Sequence, residues 1–517
     1  MLNPVTAGRG LIAVASAGAL VIGLQVGAGA SPVLKARDPL TPRTHFAMKA
    51  DGSSGLKKSG EAIPNIDSVK ATIRTYYNAD SAGIADKSKS PYISEVQTLL
   101  NDEQPYLAQN KTGKPAIVLD TDDTTLWTYD MEDGAMHFNF DPTLQNEWVQ
   151  DQRFPATPGM VDFVTKAVQM GYTVFGVTGR NDDQKTATLA NLTKVGYGTN
   201  FTADNFFTKW TGKPGSTQPS YVTCAAASCT TVEYKAQTRA HIQSLGYNIV
   251  LNVGDQWSDL MGGHAAKVLK LPNPTYYLPS PNLPGVSQPE LQPHSVFTME
   301  PDGSSGATVG GEYIPNIDSV KSTIRAYYGA TAGIAAKHQS RYITEMKKLR
   351  DKWAGRLKTR CANQSALGNK PAVVFDADDT TLWTYDMEDA AMHFNFDPVI
   401  QDEFVQGKMF PAVPGMKRVV KAAKGHGCQV FGLTGRSADQ RVATLKNLRK
   451  YYGASFTSKR FFTKYADGKQ PAYITCAVKD SCTRVEFKSQ TRAHIEKKFG
   501  VKIIGNFGDQ YSDLLGG

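Results

Sequence analysis

The chain contains the same long stretch of sequence twice. Residues 51–55 recur as 302–306 and residues 63–70 recur as 314–321, both displaced by 251 positions. This period is far longer than the roughly 20–50 residues of solenoid repeats, so each copy should be a complete domain with its own core. We therefore predict two tandem domains of the same fold.

The composition and the proline content suggest where these domains begin and end. With 41% apolar and 20% charged side chains, the 517 residues resemble a globular protein and exclude a collagen-like or largely disordered chain. Seven prolines between positions 272 and 293 exclude helix and favour an extended connector, so we expect a proline-rich linker at 279–312. Residues 31–61 are expected to be a flexible linker. We place the two copies at 62–278 and 313–517.

Residues 1–30 have the pattern of a secretory signal peptide. One charge, Arg9, precedes an apolar run from Leu11 to Leu24, and small residues follow before Ser31. The run is short for a bilayer span and no later stretch reaches about 18 apolar residues, so we expect a secreted protein, extracellular or periplasmic, without a membrane anchor after cleavage. The net charge of +9 comes from scattered basic residues and indicates no nucleic-acid partner.

Export makes disulfides the expected state of the six cysteines. Four of them form two pairs that are close in sequence. The other two, Cys361 and Cys428, have no counterpart in the first copy, where Pro105 and Tyr172 stand. Because two cysteines were gained or lost together, we expect them to be bonded. The predicted bridges are Cys224–Cys229, Cys476–Cys482 and Cys361–Cys428.

Apolar runs and amphipathic stretches alternate along each copy. Residues 115–119 and 173–177 are short apolar runs, separated by a stretch, 160–168, with apolar residues at helical spacing. A further predicted helix precedes a third apolar run at 249–251. This order predicts a three-layer, Rossmann-like α/β fold, in which a parallel sheet is covered on both faces. Ligands of such sheets bind beyond the carboxyl ends of the strands.

Acidic residues follow two of the predicted strands. Asp120 and Asp122 come directly after the first strand, and Asp255 and Asp259 follow the third. Carboxylates held this close need a cation, and a hard ion such as Mg²⁺ takes oxygen ligands. We predict a Mg²⁺ site formed by Asp120, the backbone carbonyl of Asp122, and Asp255, with Asp259 one helical turn further on.

The same residues predict chemistry at phosphorus. Asp120 could attack as a nucleophile, while Asp122 protonates the leaving oxygen and then activates water. After the second strand, Thr178-Gly179-Arg180 offers a hydroxyl, a backbone amide and a guanidinium to phosphate oxygens. Lys235 can balance the remaining negative charge.

The second copy repeats these motifs in the same order. Each motif alone is more often a solvated loop or a helix cap, but their joint recurrence makes chance a poor explanation. We expect Asp376 and Asp378 to be catalytic, and to bind a second Mg²⁺ together with Asp509 and Asp513. The predicted phosphate-binding residues of this copy include Thr434, Gly435, Arg436 and Lys488.

Two aromatic stretches are identical in the copies. Residues 127–133 recur as 383–389, and residues 136–142 recur as 392–398. Their aromatic side chains could form the walls of a substrate pocket or could pack in the core. We expect His137 and His393, which lie within them, to be structural rather than catalytic.

Each copy resembles the acid phosphatases of the haloacid dehalogenase-like superfamily, of the class B and plant types. The resemblance rests on Leu119-Asp120-Thr121-Asp122-Asp123-Thr124, on 174–180, on Glu233-Tyr234-Lys235, on 254–259 and on 270–274. It implies a small cap insertion, Mg²⁺ as cofactor, small phosphate monoesters as substrates, and Thr124 and Thr380 among the phosphate-binding residues.

The resemblance leaves two alternatives to a secreted hydrolase. A phosphotransferase would use the same aspartyl-phosphate, and a storage or binding protein could retain the scaffold without activity. Storage members of the family can lack the nucleophile, whereas both copies here keep it. The second copy stops soon after its last acidic motif, so we expect its sheet to lack the strand that follows this motif in the first copy, through absence or truncation.

Overall fold

The computed structural model describes residues 45–47, 57–63, 65–275, 296–297, 312–314, 316–466, 469–478 and 481–516. The predicted signal peptide, 1–30, lies outside these residues. Among the described residues, no helix is both long and apolar enough to cross a membrane.

The first copy is built around a five-stranded parallel sheet. In spatial order its strands are Phe206–Lys209, Thr173–Asn181, Lys114–Leu119, Tyr247–Gly254 and Lys267–Lys270. The central strand Lys114–Leu119 pairs with a strand on each side, with Ala116 opposite both Thr173 and Ile249. All three sequence-predicted strands are present, and the second continues past Thr178 to Asn181.

In the part of the first copy that the structure describes, seven α-helices accompany this sheet. They are Ile66–Tyr77, Pro91–Gln109, Pro142–Gln150, Met160–Gln169, Lys185–Leu192, Thr231–Ser244 and Trp257–Leu260. Helix Thr231–Ser244 starts with a capping box, because the Thr230 side chain accepts from the Glu233 amide while the Glu233 carboxylate accepts from the Thr230 amide. This cap fixes the first turn of the helix that carries Lys235.

The central strand buries both of its faces, as a three-layer fold requires. Ile117 and Leu119 belong to one hydrophobic cluster, whereas Ala116 and Val118 belong to another on the opposite side of the sheet. The predicted three-layer α/β fold is confirmed.

The second copy repeats this architecture with four strands in its described sheet. In spatial order they are Phe461–Lys464, Gln429–Ser437, Pro371–Phe375 and Lys502–Phe507. Its α-helices are Ile317–Tyr328, Arg341–Ala366, Pro398–Gly407, Met416–Gly425, Arg441–Tyr452, Arg484–Phe499 and Tyr511–Leu514. A π-helix follows the first motif in each copy, at Asp130–Ala135 and at Met387–Ala391.

The stretches expected to be linkers contain short paired strands. Strand His45–Ala47 pairs with Lys57–Ala62, and Val296–Phe297 pairs with Glu312–Tyr313, both antiparallel. The first pair lies largely within 31–61. Antiparallel pairing gives the backbone groups of these stretches hydrogen-bond partners within the chain.

The aromatic stretches that are identical in the two copies contribute to the core more than to a pocket wall. Trp127 and Tyr129 are buried, and they stack on Tyr92 and Tyr77 of the first two helices, with ring centroids 5.2 and 4.0 Å apart. Core packing is therefore the correct interpretation for these two rings. His137 is exposed and has a left-handed backbone (φ 49°), as does His393.

All three predicted disulfides are present, Cys224–Cys229, Cys476–Cys482 and Cys361–Cys428. The third joins helix Arg341–Ala366 to the residue before strand Gln429–Ser437. In the first copy the corresponding Tyr172 hydroxyl donates to the Leu107 carbonyl oxygen at 2.7 Å. The disulfide and the hydrogen bond thus link equivalent elements in the two copies.

Candidate active site

The predicted acidic residues meet at the carboxyl end of the first copy's sheet. Asp120 directly follows the central strand and Asp255 follows the neighbouring strand Tyr247–Gly254, while Asp259 lies in the short helix Trp257–Leu260. One carboxylate oxygen from each of the three lies within 4.8 Å of the other two. All three residues are buried.

Gly254 allows Asp259 to approach the end of its strand. A Cβ atom at this position would overlap the side chain of Asp259, and one at Gly508 would overlap that of Asp513. The Asp259 carboxylate also accepts from the Gln256 amide at 2.9 Å, which closes the turn between strand and helix. A glycine immediately before Asp255 is therefore required by the packing of the acidic cluster.

Lys235 lies between two of the three carboxylates. Its Nζ is 2.5 Å from Asp120 Oδ1 and 2.6 Å from Asp259 Oδ1. Burial acts to lower the pKa of Lys235, but the two carboxylates outweigh it and raise that pKa above its ordinary value. The lysine is thus a fixed positive charge that reaches the cluster from helix Thr231–Ser244.

The cluster retains more negative charge than Lys235 can balance. Lys235 contacts two of the three carboxylates, and the Lys270 ammonium acts on the pKa of Asp255 more weakly than burial and the neighbouring carboxylates do. Burial therefore still raises the pKa of Asp120 to about 7 and the pKa of Asp255 well above its usual range. A divalent cation would remove this excess charge, and carboxylate oxygens suit Mg²⁺. The residues present therefore fit the predicted metal.

The Asp122 carboxylate pairs with Arg180 and is not one of the three clustered carboxylates. The guanidinium approaches both carboxylate oxygens, with Nη2 2.6 Å from Oδ1. Arg180 is itself held by Thr188, whose hydroxyl accepts at 3.0 Å, and it lies over the ring of Phe154. In this structure Arg180 orients Asp122, and its predicted contact with phosphate stays a prediction.

The remaining predicted phosphate-binding residues lie around this pair and the cluster. Thr178 is buried and its hydroxyl accepts from the Arg180 amide, whereas Gly179 is exposed with open space beside it. Thr124 donates its hydroxyl hydrogen to Asp255 Oδ1 at 3.1 Å. The structure brings Thr124 next to a predicted metal ligand, and direct binding of phosphate by these residues stays a prediction.

Sequence reasoning assigned no role to Asn273, which lies inside the site. Its side-chain amide nitrogen donates to Asp255 Oδ2 at 2.5 Å and to Asp123 Oδ2 at 3.3 Å. Its side-chain oxygen accepts from the backbone amide of Thr275 at 3.0 Å. Asn273 follows the edge strand Lys267–Lys270 at the same end of the sheet as Asp120. Two signals for Asn273 were available in the sequence, its position after a strand and its place in the stretch 270–274 that carries the family resemblance.

Asp123 and Arg239 were also missed as parts of the site. Asp123 has a left-handed backbone (φ 50°), and its carboxylate accepts from the Thr128 amide at 3.0 Å. Arg239 donates to the carbonyl oxygens of Asp259 and Gly263, at 2.6 and 2.9 Å. These residues hold the two acidic loops in place from behind.

The second copy has the same arrangement with small differences. Lys488 contacts Asp376 at 3.0 Å and also Asp513, and Arg436 Nη2 is 2.5 Å from Asp378 Oδ1. Asp376, Asp509 and Asp513 form the equivalent acidic cluster. Thr380 donates to Asp509 at the longer distance of 3.4 Å. Thr434 is buried and Gly435 is exposed, like their counterparts in the first copy.

Comparison with known proteins finds two plant proteins and a bacterial acid phosphatase among the matches. The stem 28 kDa glycoprotein of Glycine max is 34% identical over 193 residues, which cover 36% of this chain and 70% of that protein. Vegetative storage protein 1 of Arabidopsis thaliana is 28% identical over 231 residues, or 42% of this chain and 75% of that protein. The crystal structure of the class C acid phosphatase from Bacillus anthracis with tungstate bound has a TM-score of 0.31 and 20% identity, and the match covers 41% of this chain and 86% of that chain.

The family described as HAD superfamily, subfamily IIIB (acid phosphatase) matches residues 70–279 and again residues 319–517. These two matches cover most of the chain and fall on the two copies. The chain therefore belongs to the acid phosphatases of subfamily IIIB of the haloacid dehalogenase-like (HAD) superfamily, and it carries two tandem copies of the family domain.

Proposed function

We propose that each copy is a secreted, Mg²⁺-dependent acid phosphatase that hydrolyses small phosphate monoesters through an aspartyl-phosphate intermediate. The observation that carries this proposal is the buried cluster of Asp120, Asp255 and Asp259 with Lys235 among them. We assign the two domains to residues 62–278 and 313–517.

In the first step, a carboxylate oxygen of Asp120 attacks phosphorus and the bond from phosphorus to the ester oxygen breaks. Asp122, oriented by Arg180, gives a proton to the departing alcohol. In the second step, water loses a proton to Asp122 and attacks the phosphorus of the aspartyl-phosphate. Inorganic phosphate leaves, and both carboxyl groups return to their starting states.

Mg²⁺, when bound by Asp120, Asp255 and the carbonyl of Asp122 with Asp259 nearby, would neutralise charge on the phosphoryl oxygens. Lys235 would hold Asp120 in position and offset the charge that the phosphoryl group brings. Thr124, Thr178, Gly179 and Arg180 are the proposed phosphate-binding residues. In the second copy the corresponding residues are Asp376, Asp378, Asp509, Asp513, Thr380, Thr434, Gly435, Arg436 and Lys488.

Secretion is supported by the disulfides. Three bonds that use all six cysteines are expected in an oxidising compartment and are unusual in the cytosol. A storage role is the alternative that a relative's name raises, because vegetative storage protein 1 is among the similar proteins. The presence of Asp120 and Asp376 favours an enzyme.

The deciding experiment measures release of p-nitrophenol from p-nitrophenyl phosphate at acidic pH by the full chain. We expect activity that EDTA removes, that Mg²⁺ restores, and that the double variant Asp120→Asn with Asp376→Asn lacks. The matched control is Asp162→Asn, at an exposed aspartate in helix Met160–Gln169, which should keep full activity.

Two results would point to the alternatives. A folded, Mg²⁺-loaded chain without activity towards a panel of phosphate monoesters would favour the storage role. If an added alcohol acceptor is converted to a new phosphate ester faster than free phosphate appears, the chain is a phosphotransferase.

A further inference from the structure

The two copies contact each other through equivalent elements at their N-terminal ends. Ile63, which precedes the first copy's N-terminal helix Ile66–Tyr77, is buried in the core cluster of the second copy. Ile314, Ile317 and Val320 of the second copy are buried in the core cluster of the first. Each copy therefore supplies apolar side chains to the other, and neither core is closed by its own residues alone.

Polar contacts repeat the same exchange. The Lys70 ammonium of the first copy donates to the Phe394 carbonyl oxygen and, at 2.8 Å, to Asn395 Oδ1 of the second copy. Lys321, the counterpart of Lys70, donates to the Phe138 carbonyl oxygen of the first copy. Both lysines are buried, so these contacts lie within a packed interface.

One contact across this interface reaches the first copy's active site. The side-chain amide of Asn316 in the second copy donates to the backbone carbonyl oxygen of Asn273 at 3.1 Å. The backbone amide of Ile317 donates to the backbone carbonyl oxygen of Pro274 at 2.8 Å. The side chain of this same Asn273 donates to Asp255 and Asp123. A chain of direct contacts thus runs from the second copy to a proposed metal ligand of the first.

Within the described part of the chain, the equivalent residue of the first copy, Asn65, makes no such contact with an acidic loop. Asn65 and Asn316 occupy the same place in the repeated sequence, and each caps the helix that follows it, since its side-chain oxygen accepts from the amide two residues on. Asn316 is buried, whereas Asn65 is exposed. Both residues cap a helix, and Asn316 also contacts a loop of the first copy's site. Comparing variants of the two residues therefore distinguishes the effect of lost capping from the effect of the lost loop contact.

We propose that Asn316 of the second copy is a positioning residue for the active site of the first copy. Asn316 holds the backbone of Asn273 in place, and this keeps the side-chain amide of Asn273 against Asp255. The position of Asp255 in turn sets the geometry of the first metal site. This inference rests on the proposed Mg²⁺-dependent function, and it makes the duplicated chain one functional unit in which the second domain supports catalysis by the first.

The test uses the full chain with the second site silenced by Asp376→Asn, so that activity reports on the first copy. Asn316→Asp keeps an oxygen for the helix cap but removes the amide donor and places a carboxylate against the Asn273 carbonyl. The matched control is Asn65→Asp. Asn316→Ser, compared with Asn65→Ser, serves if the aspartate variant fails to fold.

Loss of a group that hydrogen-bonds a metal ligand weakens metal binding by about 10- to 100-fold, and Asn316 acts one contact further away, through Asn273, so the lower end of this range applies. We therefore expect Asn316→Asp to raise the Mg²⁺ concentration for half-maximal activity by about 10-fold, with little change at saturating Mg²⁺, and Asn65→Asp to leave it unchanged. Hydrogen exchange of residues 271–275 should also increase in the Asn316 variants only. An unchanged Mg²⁺ requirement and unchanged exchange in both Asn316 variants would overturn the proposal.

Two measurements distinguish failure of this inference from failure of the proposed function. Calorimetric titration with MgCl₂ and hydrogen exchange need no turnover. If the silenced parent shows no phosphatase activity but Asn316→Asp still weakens Mg²⁺ binding, the proposed function fails and the inference stands. If the parent is active and Asn316→Asp binds Mg²⁺ like the control, the inference alone fails.

Discussion

Asp122 and Arg180 form a two-point ion pair in the first candidate active site, with Nη2 of the arginine 2.6 Å from Oδ1 of the aspartate. Arg180 is almost fully buried, with 1% of its side chain exposed, whereas 24% of the Asp122 side chain is exposed. The buried partner thus fixes an accessible carboxylate. This arrangement suits a catalytic carboxyl group that must be presented to the ester oxygen of a bound substrate in a fixed orientation.

Replacing the guanidinium tests this role. In the chain whose second site is silenced by Asp376→Asn, Arg180→Lys should lower kcat by up to about 100-fold, because a lysine cannot hold both carboxylate oxygens of Asp122. The measurement is kcat for p-nitrophenyl phosphate. Arg153→Lys, at an exposed ion pair with Asp151, is the control and should retain full turnover. A kcat for Arg180→Lys equal to that of the control would contradict the orienting role.

Lys235 offers a test that does not depend on turnover. Lys235→Met leaves Asp120 and Asp259 buried without their shared cation, which should lower the free energy of unfolding by about 3 kcal/mol in EDTA. Added MgCl₂ should restore more stability to this variant than to the parent, because the bound ion replaces part of the lost charge. Thermal unfolding with and without Mg²⁺ measures both effects. Equal stabilisation of variant and parent would contradict the idea that the ion replaces the charge of Lys235, and no stabilisation of either protein would show that the cluster does not bind the ion.

The sequence was sufficient to predict the strands and the acids that follow them. Asp120 and Asp255 each come directly after an apolar run, and the carboxyl ends of parallel strands meet at one edge of a sheet. The duplication strengthened this prediction, since chance rarely repeats several motifs in order. Pairing of Cys361 with Cys428 was also predictable, because the first copy lacks both cysteines.

Other features depend on three-dimensional contacts that no local pattern specifies. Trp127 could have faced a pocket or the core, and only the positions of Tyr77 and Tyr92 show that it is buried. Asn65 and Asn316 stand in identical sequence contexts but in different environments. A repeated sequence predicts a repeated fold, but it does not show which residues of one copy contact the other copy.

The Cys361–Cys428 bond should matter more for stability than its hydrogen-bonded counterpart in the first copy. The bond closes a loop with a sequence separation of 67, for which loss of the crosslink costs about 2–4 kcal/mol. Tyr172→Phe, which removes the bond from the Tyr172 hydroxyl to Leu107, should cost about 1 kcal/mol. Chemical unfolding of Cys361→Ala with Cys428→Ala, beside Tyr172→Phe, gives the comparison. Equal losses in the two variants would show that the crosslink adds nothing beyond a local contact.

Lys70 should make the stability of the interface between the copies depend on pH. Burial lowers the pKa of Lys70 to about 8, with Lys321 and Arg74 adding to the shift, and Asp67 and Asp133 opposing it. In the unfolded chain the lysine keeps its proton up to about pH 10.4. Below about pH 8 the lysine is charged in both states, so the full cost of burying the charge lowers the free energy of unfolding. As the pH rises above about 8, the folded state releases the proton and this cost diminishes.

The free energy of unfolding of the parent should therefore increase relative to Lys70→Met between pH 7 and pH 10, by about 2 kcal/mol. Unfolding of both proteins by urea at several pH values measures this difference. Lys166→Met, at an exposed lysine of helix Met160–Gln169, is the control, and its difference from the parent should not change with pH. A difference between parent and Lys70→Met that stays constant from pH 7 to pH 10 would mean that Lys70 keeps an ordinary proton affinity, and that the interface tolerates the charge without cost.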